Sequence, residues 1–91
     1  MTTPVLRLGA DVLYTLTAAD AAAIDTRYPM PPPFAEQTRS AVEEGTVLPA
    51  TVSRLNGSTS QNLHVQLDGI GGWWAQGVVE GTGPGTWAWP A

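Results

Sequence analysis

The spacing of apolar positions changes three times along the chain. In "DVLYTL" (11–16) Val12, Tyr14 and Leu16 alternate against Leu13 and Thr15, the period of a half-buried strand. "TAADAAAIDTR" follows, with Ala21, Ile24 and Tyr28 on one helical face. Thr17 suits the N-cap, and Asp20 three residues on completes a capping box with Asp in place of the usual Glu. The alanines favour helix, Arg27 suits its C-terminus and Pro29 stops it. Residues 1–28 therefore predict a strand and then a short helix.

Periodicity is lost in "YPMPPPFAEQTRS". Pro29, Pro31, Pro32 and Pro33 fix φ and favour an extended polyproline conformation, so 29–41 reads as a spacer or a recognition arm. In the second case Met30, Pro32 and Phe34 are its anchors for another chain.

Alternation returns over 42–91. "EEGTVLPATVSRL" reads as a strand in which Pro49 calls for an edge position or a bulge. "NGSTSQ" is a turn led by Asn56-Gly57. In "NLHVQL", Leu63, Val65 and Leu67 face the core, with Asn62, His64 and Gln66 outward. Asp68-Gly69 opens the next hairpin loop. "WWAQGVV" is a further strand, "EGTGPG" a glycine-rich turn and "TWAW" a closing strand. Four or five short antiparallel strands predict a mainly β domain with one helix, a small SH3-like barrel or open sandwich. Trp87 and Trp89 are two residues apart and share a face, so they anchor the C-terminus and close the barrel. Trp73 and Trp74 are adjacent and point to opposite faces, which leaves one for the core and one for the outer surface. An exposed tryptophan suits an interface contact, where this residue type is over-represented; Trp74 is the candidate.

Composition narrows the chemistry. With 91 residues the chain supports one domain with a modest core, burying roughly 60–65% of the surface its unfolded form exposes. It has no cysteine and one histidine, which excludes disulfides, thiolate metal sites and a His-rich metal centre. The net charge is −4, and Arg7, Arg27, Arg39 and Arg54 are scattered, so no basic stripe for a phosphate backbone exists and nucleic acid is not an expected partner. No apolar run approaches the roughly 20 residues of a membrane span, and no membrane association is expected. His64 with Ser58 or Ser60 and Asp68 is the sole route to nucleophilic catalysis, and their spacing does not select it. Glu43, Glu44, Asp68 and Glu80 fit a solvated rim, without calcium-loop spacing. No enzyme activity, cofactor or metal is expected.

"GTVLPATVSRL", "NLHVQLDG", a Trp-Ala segment and "EGTGPGTWAWP", together with "YTLTAADAAAIDTR", resemble a family of small tailed-bacteriophage and prophage proteins of largely unknown function. The chain departs from that pattern at His64 and in the glycine-rich "DGIGG". The resemblance implies a phage accessory protein: a capsid decoration or minor capsid protein on the virion surface, assembled in the host cytoplasm. It would bind the major capsid protein as a homo-oligomer, with a trimer favoured. The alternative is a non-structural phage protein that binds a host factor.

Overall fold

In the computed structural model, residues 5–28, 41–57, 59–69 and 71–90 are described. They form β1 (Asp11–Thr15), α1 (Ala18–Arg27), β2 (Val47–Asn56), β3 (Ser60–Gln66), β4 (Gly72–Glu80) and β5 (Thr86–Ala88). The strands close into a barrel in the order β1-β2-β3-β4-β5, with β5 returning to β1. The protein is thus mainly β with one short helix, a small barrel of the SH3-like kind. Met30, Pro32 and Phe34 lie outside the described residues.

Closure depends on β1. It lies between β2, through Asp11↔Thr51 to Thr15↔Val47, and β5, through Leu13↔Ala88 and Tyr14↔Trp87. The 42–91 segment is therefore an open sheet without the N-terminal strand. One expectation is corrected at the seam, because β5 runs parallel to β4 rather than antiparallel, pairing Val79↔Thr86 and Glu80↔Trp87. A two-residue hairpin would reverse the chain. Instead residues 81–85 wind it round, using positive φ at Gly83 and Gly85. The Gly85 N–H donates to Thr15 O at 2.8 Å and the Gly81 N–H to Trp87 O at 3.0 Å.

Pro49 is accommodated without a bulge. Val52 exchanges backbone bonds with the β1 side, through Ala10 and Gly9, so alternation turns Pro49 toward β3. The β2–β3 ladder begins only at Ala50↔Val65, and the missing N–H has no partner to lose. The bulge lies further on, between Val52 and Arg54.

A second irregularity corrects the outward placement of Asn62, which is buried. Register shifts on both sides of it, between Val52 and Arg54 and between Gln61 and Leu63. On β4 the extra length is taken up at Gly77, φ +67, whose N–H donates to Asn62 Oδ1 at 3.0 Å. The same oxygen accepts from Asn56 Nδ2 at 2.8 Å. Asn62 thus pins two bulges that bend the sheet toward closure.

The core comprises Val12, Tyr14, Leu16, Ile24, Leu48, Ala50, Val52, Leu63, Val65, Leu67, Ala75, Val78 and Trp87 among others. Trp87 is 2% exposed, and its Nε1 donates to the buried Gln61 Oε1 at 2.7 Å. Trp89 lies beyond the end of β5, half-buried against the core. Its ring stands edge-on to that of Trp87 at 5.2 Å between centroids. The shared face of this pair is therefore the inner one.

Candidate functional site

The capping box brings α1 onto the barrel. Thr17 Oγ1 accepts from the Asp20 N–H at 3.0 Å, and Asp20 Oδ2 accepts from the Thr17 N–H at 3.1 Å. Oδ2 also accepts from the Tyr14 hydroxyl, and Oδ1 accepts from Trp73 Nε1 at 3.3 Å. One carboxylate thereby ties the first turn of the helix to β1 and β4. Burial, then the bond to Asp20, raises the Tyr14 hydroxyl far above its ordinary value.

At its other end, α1 reaches the start of β4. Its C-cap, Tyr28, lays its ring over Gly71 and reaches Gly72 through its hydroxyl. A Cβ at Gly71 would stand 2.6 Å from the Tyr28 ring, and one at Gly72 would stand 2.9 Å from His64 Nε2. Both side chains therefore occupy space that only glycine leaves open. The Tyr28 hydroxyl donates to Gly72 O at 3.0 Å and accepts from the Gly72 N–H at 3.4 Å and from Arg27 Nε at 3.3 Å. The Arg27 contact, with Gly72 behind it, holds Tyr28 below the usual tyrosine range. The Arg27 guanidinium carbon lies 5.6 Å from the Tyr28 ring centroid, within cation–π reach.

The result is an open cleft of about 510 Å³ lined by Arg27, Tyr28, His64, Gly72, Trp73 and Trp74. Trp73 shares its strand face with buried Ala75 and packs against the core. Trp74 points the other way. It pairs across the sheet with His64 and is 58% exposed. The two neighbours reach the same cleft from opposite sides of the sheet because the cleft lies where β4 begins.

Of the residues expected from sequence, Trp74 stands at this rim, and Leu63, Val65, Leu67 and Trp87 are in the core. His64 lines the cleft. Ser60 is four residues away along β3, about 13 Å at strand rise, and Ser58 lies outside the described residues. Among the described residues no three His, Cys, Asp or Glu side chains cluster as metal ligands, and no helix is long and apolar enough to cross a membrane. Sequence reasoning missed Tyr28 and Arg27 as cleft walls. The available signal was the glycine pair 71–72, which marks a close approach but not what approaches.

Comparison of the chain with known protein families, curated proteins and solved structures finds no match.

Proposed function

We propose that this is a non-catalytic accessory protein of a phage particle, a decoration or minor capsid protein that binds the major capsid protein on the virion surface and acts as a homo-oligomer, a trimer by preference. The observation that carries this reading is Trp74, a large indole left 58% exposed on an acidic 91-residue chain. Exposed tryptophan is costly in water and characteristic of the centre of protein interfaces. It stands beside walls already held by hydrogen bonds, so a partner would meet a surface ordered before binding. The sequence resemblance to phage proteins supplies the kind of partner. Met30, Pro32, Phe34 and Trp74 are the proposed contacts between chains.

The test is mass spectrometry of purified particles, with copy number set against the major capsid protein, followed by binding of wild-type and Trp74→Ala protein to shells that lack it. A near-stoichiometric count and weakened binding by the variant support the reading. Absence from the particle overturns it in favour of a non-structural protein that binds a host factor.

A further inference from the structure

The cleft has a chemical bias that selects a class of ligand. Three of its lining residues are aromatic, Tyr28, Trp73 and Trp74. Two of their polar groups are already committed: the Tyr28 hydroxyl to Gly72 and Arg27, and the Trp73 N–H to Asp20. The other side-chain groups available to a ligand are mostly donors: the Arg27 guanidinium and the Trp74 indole N–H, while the His64 imidazole adds one N–H donor and one acceptor nitrogen. Among the described residues no carboxylate lines the cleft. Asp20, the nearest acidic group in this network, already accepts from Tyr14, Thr17 and Trp73. The site therefore suits a ligand rich in acceptors, poor in donors, and bearing flat apolar rings.

A sugar can meet the aromatic rings but matches the polar groups poorly, because each hydroxyl brings a donor and, among the described lining side chains, His64 offers the one uncommitted acceptor nitrogen. A proline-rich peptide fits both. Its pyrrolidine rings stack on aromatic faces, its tertiary amides carry carbonyls without N–H groups, and its extended helix is preformed at little entropic cost. Arg27 adds a preference. It is a fork-shaped cation at the rim of a protein of net charge −4, and such a fork matches a carboxylate.

We infer that the Tyr28–Trp73–Trp74 cleft binds an extended, proline-rich segment of its partner, with an acidic residue of that segment against Arg27. The inference rests on Trp74 being a contact between chains and names what sits on it.

The probes are acetyl-PPPPPE-amide and acetyl-PPPPPQ-amide, titrated into the full 91-residue chain while the indole N–H resonances are followed. The acidic peptide is expected to move the Trp74 and Trp73 signals and leave that of Trp87, which is buried at the seam. Trp74→Ala is expected to weaken binding by about tenfold or more, the size of one interface hot spot. Arg27→Gln is expected to abolish the preference for the acidic peptide while retaining binding to the glutamine one. Equal binding of both peptides by the wild-type chain overturns the role of Arg27. No shift at millimolar peptide overturns the inference, as does saturation of the same signals by glucuronic acid alone. Copy number in particles reads the proposed function separately, so a particle component that ignores both peptides defeats this inference and leaves that function standing.

Discussion

The two tryptophan pairs of this chain differ by one residue of spacing, and that difference sends them to different tasks. Trp87 and Trp89 are two apart, so strand alternation puts both on one face. That face is the inside of the barrel, where Trp87 is sealed and Trp89 packs edge-on against it. Trp73 and Trp74 are adjacent, so a strand with one face in solvent cannot bury both. Trp73 turns inward and is tied to Asp20, whereas Trp74 remains in solvent opposite His64. The first pair holds the β1–β5 seam and the second builds a cleft. An indole is thus sealed in the barrel or left at an open cleft here according to the parity of its position, not its chemistry.

The sharpest way to break the comparison is at the seam. Trp87→Ala removes the largest fully buried side chain and leaves Gln61 Oε1 without its donor. Truncating a buried tryptophan costs about 3–5 kcal/mol, much of what a domain this small holds. Urea denaturation is expected to show a chain largely unfolded at room temperature. Trp87→Phe keeps most of the packing but orphans the amide, for about 1–3 kcal/mol. A cost below about 1 kcal/mol for the alanine variant would mean that the seam does not depend on this residue.

Next in size is the glycine beneath the Tyr28 ring. Gly71 has φ +100, and an added Cβ would meet the Tyr28 ring at 2.6 Å. Gly77 has φ +67 with nothing near an added Cβ. Gly77→Ala therefore suffers backbone strain alone, about 1–2 kcal/mol. Gly71→Ala suffers that strain and also displaces Tyr28. Thermal unfolding is expected to show Gly71→Ala as the more damaging, and the Tyr28 hydroxyl is expected to titrate closer to its ordinary value once parted from Gly72. Equal costs at the two glycines would show that Tyr28 does not press on the strand.

Much of this architecture was legible in the sequence, and what was not has identifiable causes. Local signals were reliable. The Thr17–Asp20 box, the helix end at Arg27 and the burial of Leu63, Val65 and Leu67 all depend on neighbours within a few residues, and each appears as read. Asn62 failed because alternation assumes an unbroken ladder, and bulges flank it on both partner strands. The parallel β4–β5 seam failed because "EGTGPG" has the composition of a hairpin turn, while its path is set by closure onto β1. The cleft was legible only in part. Parity put Trp73 and Trp74 on opposite faces without deciding which is the outer one, and Tyr28 and Gly72 are 44 residues apart, so no local pattern records that they meet.

The two tyrosines extend the comparison to pH. Tyr14 is in the core and its hydroxyl is raised, by burial first and then by Asp20. Tyr28 is at the cleft and is lowered, by Arg27 first and then by Gly72. A raised folded-state value means that the Tyr14 contribution is fully present below the unfolded-state value near 10.0. It is lost as pH climbs from there toward the folded value, because the unfolded chain releases a proton that the folded chain keeps. The slope from Tyr14 alone is about −1.4 kcal/mol per pH unit above pH 10. Tyr28 acts with the opposite sign just below that range. Ultraviolet titration is expected to resolve two steps, with Tyr28 first and Tyr14 only as the protein unfolds. A single step near the ordinary value would remove the distinction. Tyr14→Phe is expected to flatten the alkaline loss of stability.

The smallest expected effect on stability decides most about function. Trp74 is exposed, and among the described residues its indole makes no hydrogen bond that holds another element in place. Trp74→Ala is therefore expected to change unfolding free energy by no more than about 0.5 kcal/mol, as surface substitutions do. If the indole exists for a partner, the same variant loses particle and peptide binding while its melting curve overlays that of the wild type. That dissociation of stability from binding is what Trp87 cannot show, since any loss of binding by a Trp87 variant would follow from loss of the barrel. A Trp74→Ala protein that is markedly destabilised would place Trp74 with Trp87 as a structural residue. The parity argument would then fail at the one position where it assigns a function.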